Sequence, residues 1–206
     1  MQKLGFLASH RGSNMQAVLD ACKSGRLQAM PAVVISNNRT SEALARARRE
    51  GIPDYHLSTE THPDPAALDR AILDALRRHE VDLVILAGYM KKLGPGTLAH
   101  YRNRILNIHP ALLPKFGGRG MYGSRVHEAV LDAGEQETGV TIHLVDEEYD
   151  RGPILAQCKV PVLEHDTVDT LSQRVLAREH VFLVETLEKV LSGTLRLPQK
   201  TKCRVS

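Results

Sequence analysis

Leu4-Gly5-Phe6-Leu7-Ala8, followed at once by Ser9-His10-Arg11-Gly12-Ser13-Asn14, reads as a buried strand that hands the chain to the first turn of a helix. Ser13 with Gln16 three residues on makes a capping box and predicts a helix over Asn14–Ser24. Met15, Val18, Leu19 and Cys22 recur at helical spacing and give that helix its apolar stripe. The free N–H groups of its first turn, beside Gly12, form a place where a phosphate can be held. A capped first helix with no ligand is the plainer alternative. The sequence contains no GxGxxG and no GxxxxGK[ST], so dinucleotide and Walker-type sites have no support.

The same rhythm continues outward. Ala32–Ile35, Leu83–Ala87 and Ile105–Ile108 are short apolar runs of strand length, separated by helical stretches at Ser41–Glu50 and Pro65–His79. Strands alternating with helices predict an α/β, Rossmann-like fold with a mainly parallel central sheet and helices on both faces. Val140–Val145 and Ile154–Val160 add two strands around the acidic loop Asp146–Gly152. A long helix over about 168–192 ends before Gly193, the residue type favoured just past a helix C-terminus. The expected organisation is a single unit over residues 1–196 and a basic, disordered tail over 197–206.

Composition narrows the class. A chain of 206 residues with 25% charged side chains can bury a sizeable core, and its net charge of +3 is scattered rather than gathered in a stripe. That balance suits small anionic substrates better than nucleic acid. Cys22, Cys158 and Cys203 form no CxxC pair and argue for a reducing compartment, against a disulfide framework or a zinc site. No signal-type segment or membrane-length apolar run is present, so a cytoplasmic location is expected, without metal, nucleic-acid or membrane partners. The sequence does not set the oligomeric state, and a homodimer stays open.

In Ile105-Leu106-Asn107-Ile108-His109-Pro110, alternation along the strand sends Asn107 and His109 to one face and Leu106 and Ile108 to the other. Pro110 cannot donate to a ladder and should end the strand, at the end where open α/β sheets bind ligands. An amide beside an imidazole can stabilise an oxyanion on an acyl-type carbon; a structural Asn–His pair is the alternative. Asp150 stands apart from its acidic neighbours because Gly152-Pro153 forces a turn behind it. Brought next to His109, its carboxylate would raise the imidazole pKa and keep the ring protonated. His143, one position along from Ile142, reads as a satisfied core histidine, with a supporting place behind the catalytic residues as the alternative. Glu179 falls in the buried stripe of the last helix with Leu171, Val175, Phe182 and Val190, so either Arg174 or Arg178 rescues it or it lines a site.

The run Ile105–Pro114 (ILNIHPALLP), together with Gly139–Val145 (GVTIHLV), Asp150–Ile154 (DRGPI), Gly12-Ser13-Asn14 and Ala87–Met90 (AGYM), resembles the folate-dependent formyltransferases over about residues 3–195. Within them it is most similar to the branch that acts on glycinamide ribonucleotide in purine synthesis. The resemblance implies transfer of formyl from 10-formyltetrahydrofolate to the amine of glycinamide ribonucleotide, with no metal. It implies that Gly12, Ser13 and Asn14 hold the ribonucleotide, with backbone amides on its phosphate. Met90, Lys91, Lys92 and Leu93 would line the folate cleft with Asp146, Glu147, Glu148, Tyr149 and Asp150. Asn107 and His109 would face the formyl oxygen, Asp150 would keep His109 protonated, and Glu179 would position the amine. Two positions depart from the pattern. Pro65 stands where many relatives have a folate-contacting Arg, and Leu176 replaces a Gln near Glu179. Lys91, Lys92 or Arg119 could answer the charge of the folate glutamate tail. The loop Gly117–Arg125 is longer than in the simplest members, and its glycines suggest mobility.

Three other readings compete. A formyltetrahydrofolate hydrolase would use the same Asn–His–Asp group with water as acceptor, but carries an N-terminal regulatory domain. A methionyl-tRNA formyltransferase would need an RNA-binding domain after the region that ends here near Arg196. A non-catalytic nucleotide-binding module would keep the Gly12–Asn14 loop, with no need for all three catalytic-type residues.

Overall fold

The computed structural model describes residues 1–199. Seven strands form one sheet: β1 (Gln2–Leu7), β2 (Ala29–Ser36), β3 (Asp54–His56), β4 (Leu83–Leu86), β5 (Ile105–His109), β6 (Glu137–Leu144) and β7 (Ile154–Pro161). Their spatial order is β3-β2-β1-β4-β5-β6-β7. The first five strands run parallel, and β6 and β7 complete the sheet antiparallel. The chain winds from β1 out to β3, then returns to lay β4 on the other side of β1. The carboxyl ends of β1 and β4 therefore open a crevice at the point where the winding reverses.

Six helices cover the sheet: α1 (Ser13–Lys23), α2 (Glu42–Arg49), α3 (Pro65–Arg78), α4 (Pro95–His100), α5 (Ser124–Asp132) and α6 (Val168–Leu191). Strand alternation divides the core in two. Leu4, Phe6, Leu106, Ile108 and Ile142 pack with residues of α1 and α6 on one face. Leu7, Val33, Val84 and Ile105 pack with Ile72 and Leu76 of α3 on the other. Burying a side chain such as Leu4 or Phe6 completely is worth roughly 1.5–3 kcal/mol. On the second face, beyond β4, the covering changes from helices to loops. That is where Asn107, His109, Thr141 and His143 project, opposite one another in the register Asn107↔His143 and His109↔Thr141.

The long elements lie where periodicity places them, within a few residues at each end. Gly193 adopts φ 78° just past α6, as a C-terminal glycine should. The start of α1 differs from expectation. The N-cap is Gly12, at φ 64°, and no side chain caps the helix; Ser13 is its first residue. Gln16 makes no capping box because its amide is engaged elsewhere, donating to Asp20 and Glu50 and accepting from Arg46. The N–H groups of the first turn are thus left without a side-chain cap, which favours an anion there. Pro65 has a local role as the first residue of α3, behind an Asp64 carboxylate that accepts from the Ala66 and Ala67 amides. Leu197 packs against the core, and the Pro198 and Gln199 carbonyls accept from Arg104 and Asn103. The rest of the expected tail, residues 200–206, lies outside the described residues.

Candidate active site

β5 delivers Asn107 and His109 to the carboxyl end of the sheet, and Asp150 reaches them from the turn between β6 and β7. Asp150 sits in the left-handed region at φ 56°, a conformation that Asp and Asn tolerate better than most residues. Behind it, a side chain at Gly152 would run into the Leu144 carbonyl, so the turn admits only glycine there. The Asp150 carboxylate accepts from the Gly118 N–H at 2.9 Å and from Asn107 Nδ2 at 3.3 Å. His109 Nδ1 stands 3.6 Å from Asp150 Oδ2, and His143 Nε2 stands 3.5 Å from Oδ1. The three residues singled out on the strand and loop therefore meet.

His143 joins them, a correction to its reading as a core histidine. Its Nδ1 donates to the Leu144 carbonyl at 2.8 Å, so in the neutral ring Nε2 is an acceptor. Asn107 Nδ2 supplies the matching N–H at 3.0 Å. That pairing fixes the Asn107 amide: its NH2 group faces His143 and Asp150, and the oxygen faces away. The antiparallel register that sets Asn107 opposite His143 is the signal that could have found this residue.

The electrostatics of His109 also differ from expectation. Burial pushes its pKa below the ordinary imidazole value, against the upward pull of Asp150 and of the Phe116 carbonyl, while His143 adds to the fall. Asp150 does act in the predicted direction, but desolvation of a ring that is 3% exposed outweighs it. Burial thus favours the neutral ring, and Nε2 donates to the Phe116 carbonyl at 2.8 Å. Burial pulls the Asp150 carboxyl up, but the His143 and His109 rings and the Gly118 N–H more than offset it, so it lies below its ordinary value.

Glu179 resolves the choice left open by its position. Arg174 pairs with Asp166 and Arg178 with Glu185, so neither rescues it. Among the described residues its one hydrogen-bond partner is Asn14 Nδ2 at 3.4 Å, and both side chains line the same cavity as Asn107 and His109. Burial pushes the Glu179 carboxyl up to about 8. Among the described residues the buried Asn14 Oδ1 has no hydrogen-bond partner, an acceptor held ready in the lining of the cleft.

The cavity has a volume of about 460 Å³, within the range of small-molecule sites. Met90, Lys91, Lys92 and Leu93 line one side and Asp146, Glu147, Glu148, Tyr149 and Asp150 the other. Lys91, Lys92 and Arg119 are exposed at its rim. Gly12 and Ser13 do not line this cavity. They sit at the start of α1, where Gly12 is pressed so close to Ala43 that an added Cβ would stand 2.8 Å from the Ala43 Cβ. Pro65 and Leu176 are also outside the lining.

Two further polar residues hold the walls. Ser9 Oγ accepts from the Met90 N–H at 2.7 Å and donates to Asn37 Oδ1, tying the Met90–Leu93 segment to β1. Thr141 Oγ1 donates to the Ala111 carbonyl at 2.6 Å and accepts from Leu113 N–H and Gln157 Nε2. It thereby pins the turn between His109 and Phe116. Among the described residues no group of His, Cys, Asp and Glu is placed to hold a metal ion, and no helix is long and apolar enough to cross a membrane.

An amide, an imidazole and a carboxylate gathered over one cavity at the sheet's carboxyl end define a group-transfer site for an acyl-type carbon. The family described as Formyl transferase matches residues 2–187. The chain is 43% identical over 188 residues to the chloroplastic phosphoribosylglycinamide formyltransferase of Vigna unguiculata, covering 91% of this chain and 60% of that protein. It is 36% identical to the phosphoribosylglycinamide formyltransferase of Escherichia coli (strain K12), over 93% of this chain and 88% of that one. The crystal structure of glycinamide ribonucleotide transformylase 1 from Symbiobacterium toebii superimposes with a TM-score of 0.89 at 40% identity, over 97% of this chain and 92% of its own. The chain belongs to the formyl transferase family, on the branch of the phosphoribosylglycinamide formyltransferases.

Proposed function

We propose that this protein transfers the formyl group of 10-formyltetrahydrofolate to the amine of glycinamide ribonucleotide, a step of purine synthesis. One observation carries the reading: a buried carboxyl, Glu179, and the Asn107–His109–Asp150 group line a single cavity. An amine held by the first would meet a formyl carbon held at the second.

The uncapped first turn of α1, at Gly12, Ser13 and Asn14, takes the phosphate of the ribonucleotide, and Asn14 and Glu179 take its amine end. The folate lies between Met90–Leu93 and Asp146–Asp150. Attack of the neutral amine on the formyl carbon forms the new C–N bond and moves an electron pair onto oxygen. Asn107 trades its 3.3 Å contact with Asp150 for that oxyanion. In the neutral form that burial favours, His109 can accept the proton that the amine sheds. Asp150 stabilises the imidazolium so formed, and the proton passes on to the folate nitrogen as its bond to the formyl carbon breaks. For Nε2 to take a proton from the reacting atoms, the Phe116 carbonyl must give way and the ring's own proton must move to Nδ1, which faces Asp150 Oδ2 at 3.6 Å. The glycines at 117, 118 and 120 supply the freedom for that movement.

Steady-state assays with the ribonucleotide present and omitted test the reading. Folate deformylation should depend on the acceptor. Equal rates without it would make water the acceptor and the protein a hydrolase.

A further inference from the structure

The N-terminus of α1 carries no side-chain cap, so other contacts must fix the loop that precedes it. That loop is held from the side by α2. The Ala43 N–H donates to the His10 carbonyl at 3.0 Å, and Arg46 Nε donates to the Arg11 carbonyl at 3.0 Å. Arg46 Nη1 also donates to Gln16 Oε1 at 3.2 Å, one turn further along α1. The other two arginines of α2 behave differently. Arg48 pairs with Asp54 at 2.7 Å and Arg49 with Glu42 at 2.6 Å, whereas Arg46 stands 3.9 Å from Glu42 and makes its close hydrogen bonds to α1 and its loop. In a planar trans peptide the carbonyl of one residue and the N–H of the next point in opposite directions. Holding the His10 and Arg11 carbonyls against α2 therefore turns the Arg11 and Gly12 N–H groups away from it. Neither N–H has an acceptor among the described residues.

We propose that Arg46 is a positioning residue for the acceptor substrate: by gripping the Arg11 carbonyl it aims the Gly12 N–H at the phosphate of the ribonucleotide. The inference rests on the reading above in which the start of α1 takes that phosphate. Arg46 acts through the loop and not through its charge alone. Its Nε and Nη1 hydrogens face protein acceptors, and a planar guanidinium fixed by two such bonds keeps the peptide it grips from turning. Without Arg46 the Arg11–Gly12 peptide loses that restraint, and Gly12, at φ 64°, is the residue type that tolerates the most alternative conformations. A hydrogen bond weakens steeply once its donor is misaligned. The phosphate would then meet a loop that has to be ordered at the moment of binding, which lowers affinity for the ribonucleotide and leaves the formyl-transfer centre as it was.

Arg46→Ala and Arg46→Lys should each raise the KM for glycinamide ribonucleotide about tenfold, the change expected when a hydrogen bond to a charged group is lost. The KM for the formyl folate and kcat should stay within about twofold. Ethylguanidinium should restore the Arg46→Ala variant, and ethylammonium should not. Lys keeps the charge but not the planar fork, so a wild-type KM in Arg46→Lys would make Arg46 a plain cation and overturn the aiming role. The amide resonance of Gly12 reports the geometry directly. Inorganic phosphate should shift it saturably in the wild-type protein, with an apparent affinity about tenfold weaker in either variant. Equal phosphate affinities in wild type and variants, or a loss of folate and ribonucleotide binding together, overturns the proposal. If phosphate leaves the wild-type Gly12 amide unmoved, the phosphate reading of α1 itself falls, and the aiming role with it.

Discussion

Replacing Glu179 by Gln should stabilise the fold at alkaline pH while weakening its use of the amine substrate. The Glu179 carboxyl lies 7% exposed with only the Asn14 amide as a hydrogen-bond partner among the described residues, and burial pushes its pKa up to about 8. In the unfolded chain it titrates near 4.5. A folded-state pKa above the unfolded one means that the stabilising contribution is complete below about pH 4.5 and is lost as pH rises through about 8. At about 1.36 kcal/mol per pH unit, the whole loss is on the order of 4–5 kcal/mol. Gln mimics the protonated acid and carries no titration. Urea denaturation of both proteins should therefore give nearly equal stabilities at pH 4.5, and a Gln variant more stable by several kcal/mol at pH 9. The cost appears in function: a protonated amine seated beside Glu179 favours loss of the carboxyl proton and pairs with the anion, which Gln cannot become, so the KM for glycinamide ribonucleotide should rise at least tenfold. A stability difference that does not change with pH would refute the reasoning, because Glu179 would then titrate as an ordinary surface acid.

Asp150→Asn should fold, since Asn also tolerates φ 56°, but should lower the His109 pKa further and cut kcat by about 10²–10³; NMR titration of a His109 pKa that holds or rises would separate the two residues. Gly12→Ala places a Cβ 2.8 Å from Ala43 at φ 64°, so the KM for the ribonucleotide should rise about tenfold with the folate KM unchanged; equal effects on both KM values would remove the phosphate from α1. Thr141→Val leaves the Leu113 N–H without its buried acceptor and should cost about 1–3 kcal/mol by chemical denaturation, with a smaller kcat as the His109–Phe116 turn loosens; unchanged stability would show that Gln157 alone holds the turn.

What the sequence disclosed depended on the range of the interaction that decides each feature. Strand alternation alone put Asn107 and His109 on one face, and helical spacing alone put Glu179 on the buried side of α6. Both are local patterns. Elements set by distant partners were not visible. α4 is six residues long and opens Pro95-Gly96, and its first N–H groups are held by the Asp69 carboxylate from α3. β3 has three residues and no fully buried one to mark it, while α5 follows a glycine-rich loop. His143 entered the site through a cross-strand register that no single strand encodes. The charge state of His109 turned on a balance between desolvation and Asp150, and the sequence shows the second term but not the first. Ser13 and Gln16 have the spacing of a capping box, yet Gln16 found Asp20, Glu50 and Arg46 instead.

Labelling the formyl carbon tests the central claim most directly. With 10-formyltetrahydrofolate carrying a ¹³C formyl group, wild-type protein and glycinamide ribonucleotide, carbon NMR should show the label moving into the ribonucleotide's new formamide, one for each folate consumed. Without the ribonucleotide, the label should stay on the folate. Label accumulating as free formate at a rate indifferent to the ribonucleotide would contradict the account.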